Sequence, residues 1–572
     1  MKRYVNRLLC LLLALLLCAS MTSCAWFEGV KDWFVEDEAA YEFDYEGTLT
    51  PGGDVFIRKQ YKDVVYWGEG VPMFEYTEQD AAELMKQLDE LYECLEQEDA
   101  AAFVAMFTYV QYGAFARMES QCSLAQLEYS LFRDDPEAAE NYEWMRAFAT
   151  DASDRLFKLY RLVYDSPHKE TFFRGWSDED IRMVLLYADA VDEEYTALLE
   201  EYDDLIVSYY ELQQSEDFIY KSAAMYPDAV RINNAVAQKL GYDNYMDYAY
   251  EFIYMRDYTP EDVEVVRAYV KEYLVPLYRE VSSKLSVLGA ELRQSEIDEI
   301  DAMMYQEYNS QSVQDYMQMM DGRFLEEYTV MMEEQNYCFS YDPYASRDGA
   351  FTDCLREEGQ PFIYMGASYA DAFTLIHEYG HYYAFSVDPM RNASYDLSEL
   401  QSQGNEWLYL AYLSEQNNSI ASLYTSLYRL YNDIGMVILC LSVDEFEQTV
   451  YANPDAYSDP SLLDDLFTNI IGSYIDPAVF GLSISEYWHY VAFDAAGYYV
   501  SYAVSLIPCF ELYFMAETDL EKAVQTYLSL SEYEGNKTYF EVLDLAGLQN
   551  PLDEDYVPVD YEELYELMQQ KQ

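Results

Sequence analysis

The stretch from Asp371 to Asp388 constrains this chain more than any other. It carries His377, Glu378 and His381 as His-Glu-x-x-His, in a sequence with only four histidines. On an α-helix, residues four apart lie one above the other on one face. His377 and His381 can therefore offer imidazole nitrogens to one metal ion, with Glu378 beside it. The flanking sequence predicts that helix. Ser368 and Asp371 resemble a capping box, good helix formers follow, and Asp388-Pro389 is a natural stop. Phe373, Leu375, Ile376, Tyr379, Tyr382 and Tyr383 surround the motif and argue for a buried helix. Buried histidines and a buried glutamate need polar partners, and a metal supplies them.

The chain has 572 residues, more than one hydrophobic core usually spans, so two or three subdomains are expected. Hydrophobic residues make up 51%, enough for a globular core and too many for disorder. The formal net charge of −72 argues against nucleic acid as a partner and against a basic face on anionic lipid. Most of that charge is read as a solvated surface.

Lys2, Arg3 and Arg7 precede an apolar run from Leu8 to Leu17, too short to span a bilayer, which reads as an export signal over residues 1–23. Met21-Thr22-Ser23-Cys24 resembles a bacterial lipobox with methionine in the usual leucine position, and the resemblance implies cleavage before Cys24 and its lipidation. The chain is then expected at the extracytoplasmic face of a bacterial membrane, anchored only through Cys24, with plain secretion as the alternative. Residues 24–50 form an acidic tether in which Trp26 and Trp33 can sit near headgroups. No later segment is long and uncharged enough to be a transmembrane helix. The six cysteines beyond Cys24 contain no Cys-x-x-Cys pair and do not form a cysteine zinc site.

From about Thr77 the pattern is overwhelmingly helical, with apolar residues at three- and four-residue spacing. Helices are predicted over 78–98, 100–117, 177–212, 261–292, 295–319, 397–415, 420–441, 444–452, 485–516 and 520–532. Between Tyr337 and Ser368, Cys338–Tyr341 and Pro361–Met365 are short β-prone runs bounded by Asp, Gly and Pro. A strand in the second run can offer its edge to an extended peptide. The reading is mainly α, with a small sheet beside the metal helix. Residues 51–336 are taken as an N-terminal helical region and 337–572 as the catalytic region.

A catalytic zinc normally takes three protein ligands plus water. No histidine follows His381 until His489, so a glutamate from a following helix is the natural third ligand. Glu399 and Glu406 both qualify. They are two helical turns apart, so one can bind metal while the other braces a ligand histidine.

Pro361-Phe-Ile-Tyr-Met-Gly366, Phe373-Thr-Leu-Ile-His-Glu-Tyr-Gly-His381 and Glu399-x-x-Ser402-x-x-x-Glu406 together resemble the thimet oligopeptidase and oligoendopeptidase F family of zinc peptidases. The match runs from Asp348-Gly349-Ala350-Phe351 toward residue 515, while the N-terminal half agrees in helical character only. The resemblance implies Glu399 as third ligand to a single zinc ion, Glu406 as a nearby helper and Glu378 as general base. It also implies a histidine and tyrosines facing the substrate carbonyl, for which His489, Tyr499 and Tyr502 stand in place. It further implies a two-part helical zincin-like shell around a deep channel that admits short unfolded peptides. The expected activity is zinc-dependent cleavage of internal peptide bonds by a monomeric enzyme. Two alternatives are a lipid-anchored peptide-binding protein without catalysis and a related zinc carboxypeptidase. The first requires a missing ligand or base, and none is missing. The second requires a fixed positive group for the substrate carboxylate, and Arg391 lies near the motif without being singled out.

Overall fold

The computed structural model describes residues 64–570, apart from 97–98, 213–214, 216, 321, 348, 390–392, 418, 481–483 and 494. The export signal, Cys24, the acidic tether, Asp348 and Arg391 lie outside the described residues. The rest is mainly helical with one small sheet, as the sequence predicts. Among the described residues no helix is long and apolar enough to cross a membrane.

The chain divides into two compact units, each assembled from two separate stretches. One comprises the described part of Met1–Val191 with Glu307–Asn392, and the other Asp192–Gln306 with Ala393–Gln572. The boundary expected after residue 336 therefore falls inside the first unit. The first unit spans that boundary in part through β1 (Val65–Trp67), a strand of three residues that pairs antiparallel with β2 (Tyr337–Ser340).

In the first unit, β1 and β2 join β3 (Ala350–Leu355) and β4 (Gln360–Met365) in the order β1-β2-β4-β3. Strand β4 runs parallel to β2 and antiparallel to β3. It thus lies between two partners and has no free edge, contrary to the expectation for Pro361–Met365; β1 and β3 are the outer strands. Helix α1 (Ala116–Leu131) packs on β3, and Leu124, Leu127 and Leu131 share a core with Phe351, Phe362 and Tyr364. Side chains alternate across a strand, so Thr352 points away from that core. On its side lies α3 (Ala372–Val387), which packs on β3 and β4 and against α2 (Gly322–Glu334). Tyr379 and Tyr383 meet Phe324 edge-on, and Tyr379 Oη donates to the Phe324 carbonyl at 2.5 Å. These contacts fix the rotation of α3 and hence which way its histidines point.

In the second unit, α4 (Tyr395–Gln416), α5 (Ile420–Ala452) and α6 (Val500–Thr518) form the centre. Helix α6 packs on both α4 and α5. Helix α4 is buried from Asp396 to Ser414 almost without interruption, so its polar residues require internal partners. Gln401 Nε2 donates to the Leu530 carbonyl, and Gln403 Oε1 accepts from Ser505 Oγ. Two predicted helices, 420–441 and 444–452, are one continuous helix here. The single helix predicted over 485–516 is broken instead. The short turns Ile484–Glu486 and Trp488–Val491 come first, then the chain reverses at Gly497 with φ of 82°, and α6 begins at Val500. That left-handed φ suits glycine and stops a right-handed helix from passing.

Candidate metal centre

Helix α3 is started by Asp371. Its Oδ1 accepts the Thr374 amide at 3.0 Å and its Oδ2 accepts Thr374 Oγ1 at 2.8 Å. Asp371 is thus the N-cap itself, and Ser368 belongs to the short turn Ala367–Tyr369 before it, which corrects the expected capping box. On α3, His377 and Glu378 are buried and His381 is half-buried, with the two imidazole rings 5.1 Å apart. Burial pushes the His381 imidazolium well below its ordinary value, and repulsion from His377 adds to this. A neutral imidazole presents the lone pair that a metal needs.

Glu378 is completely buried and faces β3. Thr352 Oγ1 lies 2.7 Å from Glu378 Oε2 and 2.9 Å from its main-chain carbonyl. The hydroxyl has one proton, and the carboxylate oxygen is the nearer acceptor, so Thr352 orients this side chain. The sequence motif Asp348–Phe351 ends one residue before Thr352. The signal was strand alternation, which places Thr352 on the opposite face from Phe351.

Glu399 is on the first turns of α4, capped by Ser394 Oγ accepting the Leu397 amide. Tyr498 Oη donates to Glu399 Oε1 at 2.6 Å, and Ser402 Oγ lies 3.3 Å from Oε2. His377, His381 and Glu399 are a group of side chains that could hold a metal ion. Two imidazoles and a carboxylate make a donor set suited to zinc. Among the described residues this is the one such group of three.

The other expected residues are placed as follows. Glu406 accepts from Arg429 Nη2 at 2.8 Å, and Arg429 Nε also donates to Asp433 at 2.9 Å. Burial pushes the Asp433 carboxyl up to about 6 despite the Arg429 charge. Glu406 is therefore fastened to α5 through Arg429. Tyr502 Oη lies 3.2 Å from Tyr498 Oη, and the Tyr499 ring packs against both tyrosines. His489 is fully buried and stands outside the group of three. Its Nδ1 is 2.9 Å from Ser222 Oγ, its Nε2 is 3.1 Å from Asp464 Oδ1, and its ring stacks on Trp488. This Ser-His-Asp alignment is no nucleophile site, because Ser222 has no solvent access and its hydroxyl also reaches the Phe218 carbonyl at 2.7 Å. With both ring nitrogens engaged and no exposure, His489 presents no nitrogen to a substrate here. Burial holds it toward the neutral form, against the pull of Asp464.

The sequence matches no family model and no curated protein. Solved structures do match in fold. Pz peptidase A with an inhibitor shares a TM-score of 0.67 at 16% identity, covering 87% of this chain and 98% of that one. A Bacillus anthracis str. Ames protein provisionally assigned as an oligoendopeptidase F gives 0.66 at 15%, covering 87% and 98%. An M32 carboxypeptidase from Deinococcus radiodurans R1 gives 0.55 at 12%, covering 86% and 100%. The chain therefore has the fold of the oligoendopeptidase F and M32 peptidases over nearly the whole length of each.

Proposed function

We propose that this protein is a zinc-dependent endopeptidase acting on internal bonds of short, unfolded peptides, held at the outer face of a bacterial membrane by lipid on Cys24. The observation that carries the activity is the pair of imidazoles of His377 and His381 on one helix, 5.1 Å apart, with Glu378 as the residue next to His377. The match in fold to peptidases supports it. The placement rests on the sequence of residues 1–24 alone.

His377, His381 and Glu399 would hold the ion, which when bound acts as a Lewis acid and brings the pKa of a water toward neutrality. Glu378 accepts the proton of the attacking water and passes it to the departing amine. Thr352 holds that carboxylate in one rotamer as it does so. Tyr499 or Tyr502 donates a hydroxyl proton to the substrate oxygen as negative charge develops there.

The carboxypeptidase match gives the second reading, in which one residue is trimmed at a time. Mass spectrometry of the products from an internally quenched peptide with an amidated C-terminus separates the two. Internal cleavage of the blocked peptide is the expected result. Cleavage only of the free-acid peptide, at its last bond, would establish the carboxypeptidase reading instead.

A further inference from the structure

We propose that Tyr498 is the positioning residue for the Glu399 carboxylate and takes no part in holding the substrate oxygen. This rests on the zinc reading above and assigns a residue that the sequence motifs passed over in favour of Tyr499 and Tyr502.

Tyr498 and Glu399 are both nearly inaccessible, at 5% and 4% exposure. Their hydrogen bond of 2.6 Å has the length of a charge-assisted O–H···O⁻ bond. A phenol has one proton. With that proton on Glu399, none remains for the Tyr502 Oη 3.2 Å away. Tyr498 then has no proton left for a developing oxyanion.

The phenol is held from several sides. Tyr254 and Tyr395 pack on its ring with centroids 5.8 and 5.7 Å away. The preceding residue is the left-handed Gly497, whose amide donates to Glu447 Oε2 at 2.8 Å. A Cβ at Gly497 would stand 3.3 Å from Met246 Cε and 3.4 Å from Tyr254 Cε2, so any larger residue would press on the ring that packs against Tyr498. The buried Arg256 then links the segments that carry the two partners. Its Nη2 reaches Ser501 Oγ at 2.7 Å and the Tyr498 carbonyl at 3.4 Å, while its Nε reaches Asp396 Oδ1 at 3.3 Å. Asp396 lies one turn before Glu399 on α4. The carboxylate and the phenol are thus fixed to each other both directly and through one guanidinium.

Groups that orient a metal ligand typically contribute about 10- to 100-fold in metal affinity. The test is zinc affinity of the purified full chain, measured by competition with a chromophoric chelator, in wild type, Tyr498→Phe and Tyr254→Phe. Tyr254 is the control because its hydroxyl bonds the Ala496 carbonyl in the same cluster without touching Glu399. Zinc binding about 10- to 100-fold weaker in Tyr498→Phe, with Tyr254→Phe near wild type and metal-free melting temperatures alike, is the expected result. Wild-type affinity in Tyr498→Phe, or equal losses in both variants, would overturn the assignment while leaving the zinc reading intact. Absence of zinc binding by the wild type would overturn the zinc reading itself.

Discussion

Thr352 on β3 holds Glu378 on α3: the hydroxyl lies 2.7 Å from Oε2 in a fully buried setting. A hydrogen bond to a charged group contributes about 1.5–3 kcal/mol. Thr352→Val keeps the shape and removes the donor. It is expected to lower kcat by roughly tenfold or more, with KM and metal content little changed. Thr352→Ser should restore most of the rate, and in a Glu378→Gln background Thr352→Val should add nothing.

The buried Arg256–Asp396 pair predicts a stability effect. Both side chains have no exposure, and Arg256 also lies over the rings of Tyr250 and Tyr254. Removing one partner leaves an uncompensated buried charge, costing about 3–5 kcal/mol. Asp396→Ala should show that loss in urea unfolding. Double replacement by apolar residues of similar volume should cost less than either single change.

Glu119 on α1 predicts how stability varies with pH. Burial pushes its carboxyl up to about 8 from an ordinary 4.5, with Asp353 adding to the rise and Arg356 opposing it. Between those values the folded chain keeps a proton that the unfolded chain has lost. Stability from this group is therefore full below about pH 4.5 and falls as pH rises to about 8. Glu119→Gln should flatten that fall, read as melting temperature at pH 5 and pH 8.

His489 is expected to matter for folding and not for the chemical step. His489→Asn should lower the melting temperature, because Ser222, Asp464 and the Trp488 stack lose their partner. Its kcat on a peptide should stay within a few-fold of wild type.

The sequence made the metal helix legible because two histidines at helical spacing in a histidine-poor chain leave few readings, and its end at Asp388-Pro389 follows from local chemistry. The proposed third ligand is harder to read. Glu399 and Glu406 have the same helical phase, and only the fold separates them, by giving Tyr498 to one and Arg429 to the other. Tyr498 itself was hidden among 62 tyrosines, and its role depends on the turn at Gly497, which interrupts a stretch whose apolar pattern reads as helix. Strand β1 escaped because three residues show no periodicity. The division into units was out of reach for the same reason: it is made in part by pairing across more than 250 positions of sequence.

Zinc-dependent endopeptidase activity is decided by cleavage of a blocked, internally quenched peptide by the mature chain with and without a chelator, beside zinc-loaded Glu378→Gln. Internal cleavage that chelation abolishes and zinc restores is the expected result, with a variant that binds one zinc while losing about 100-fold or more of the rate. Full activity in the chelated wild type, or an undiminished rate in Glu378→Gln, would contradict it.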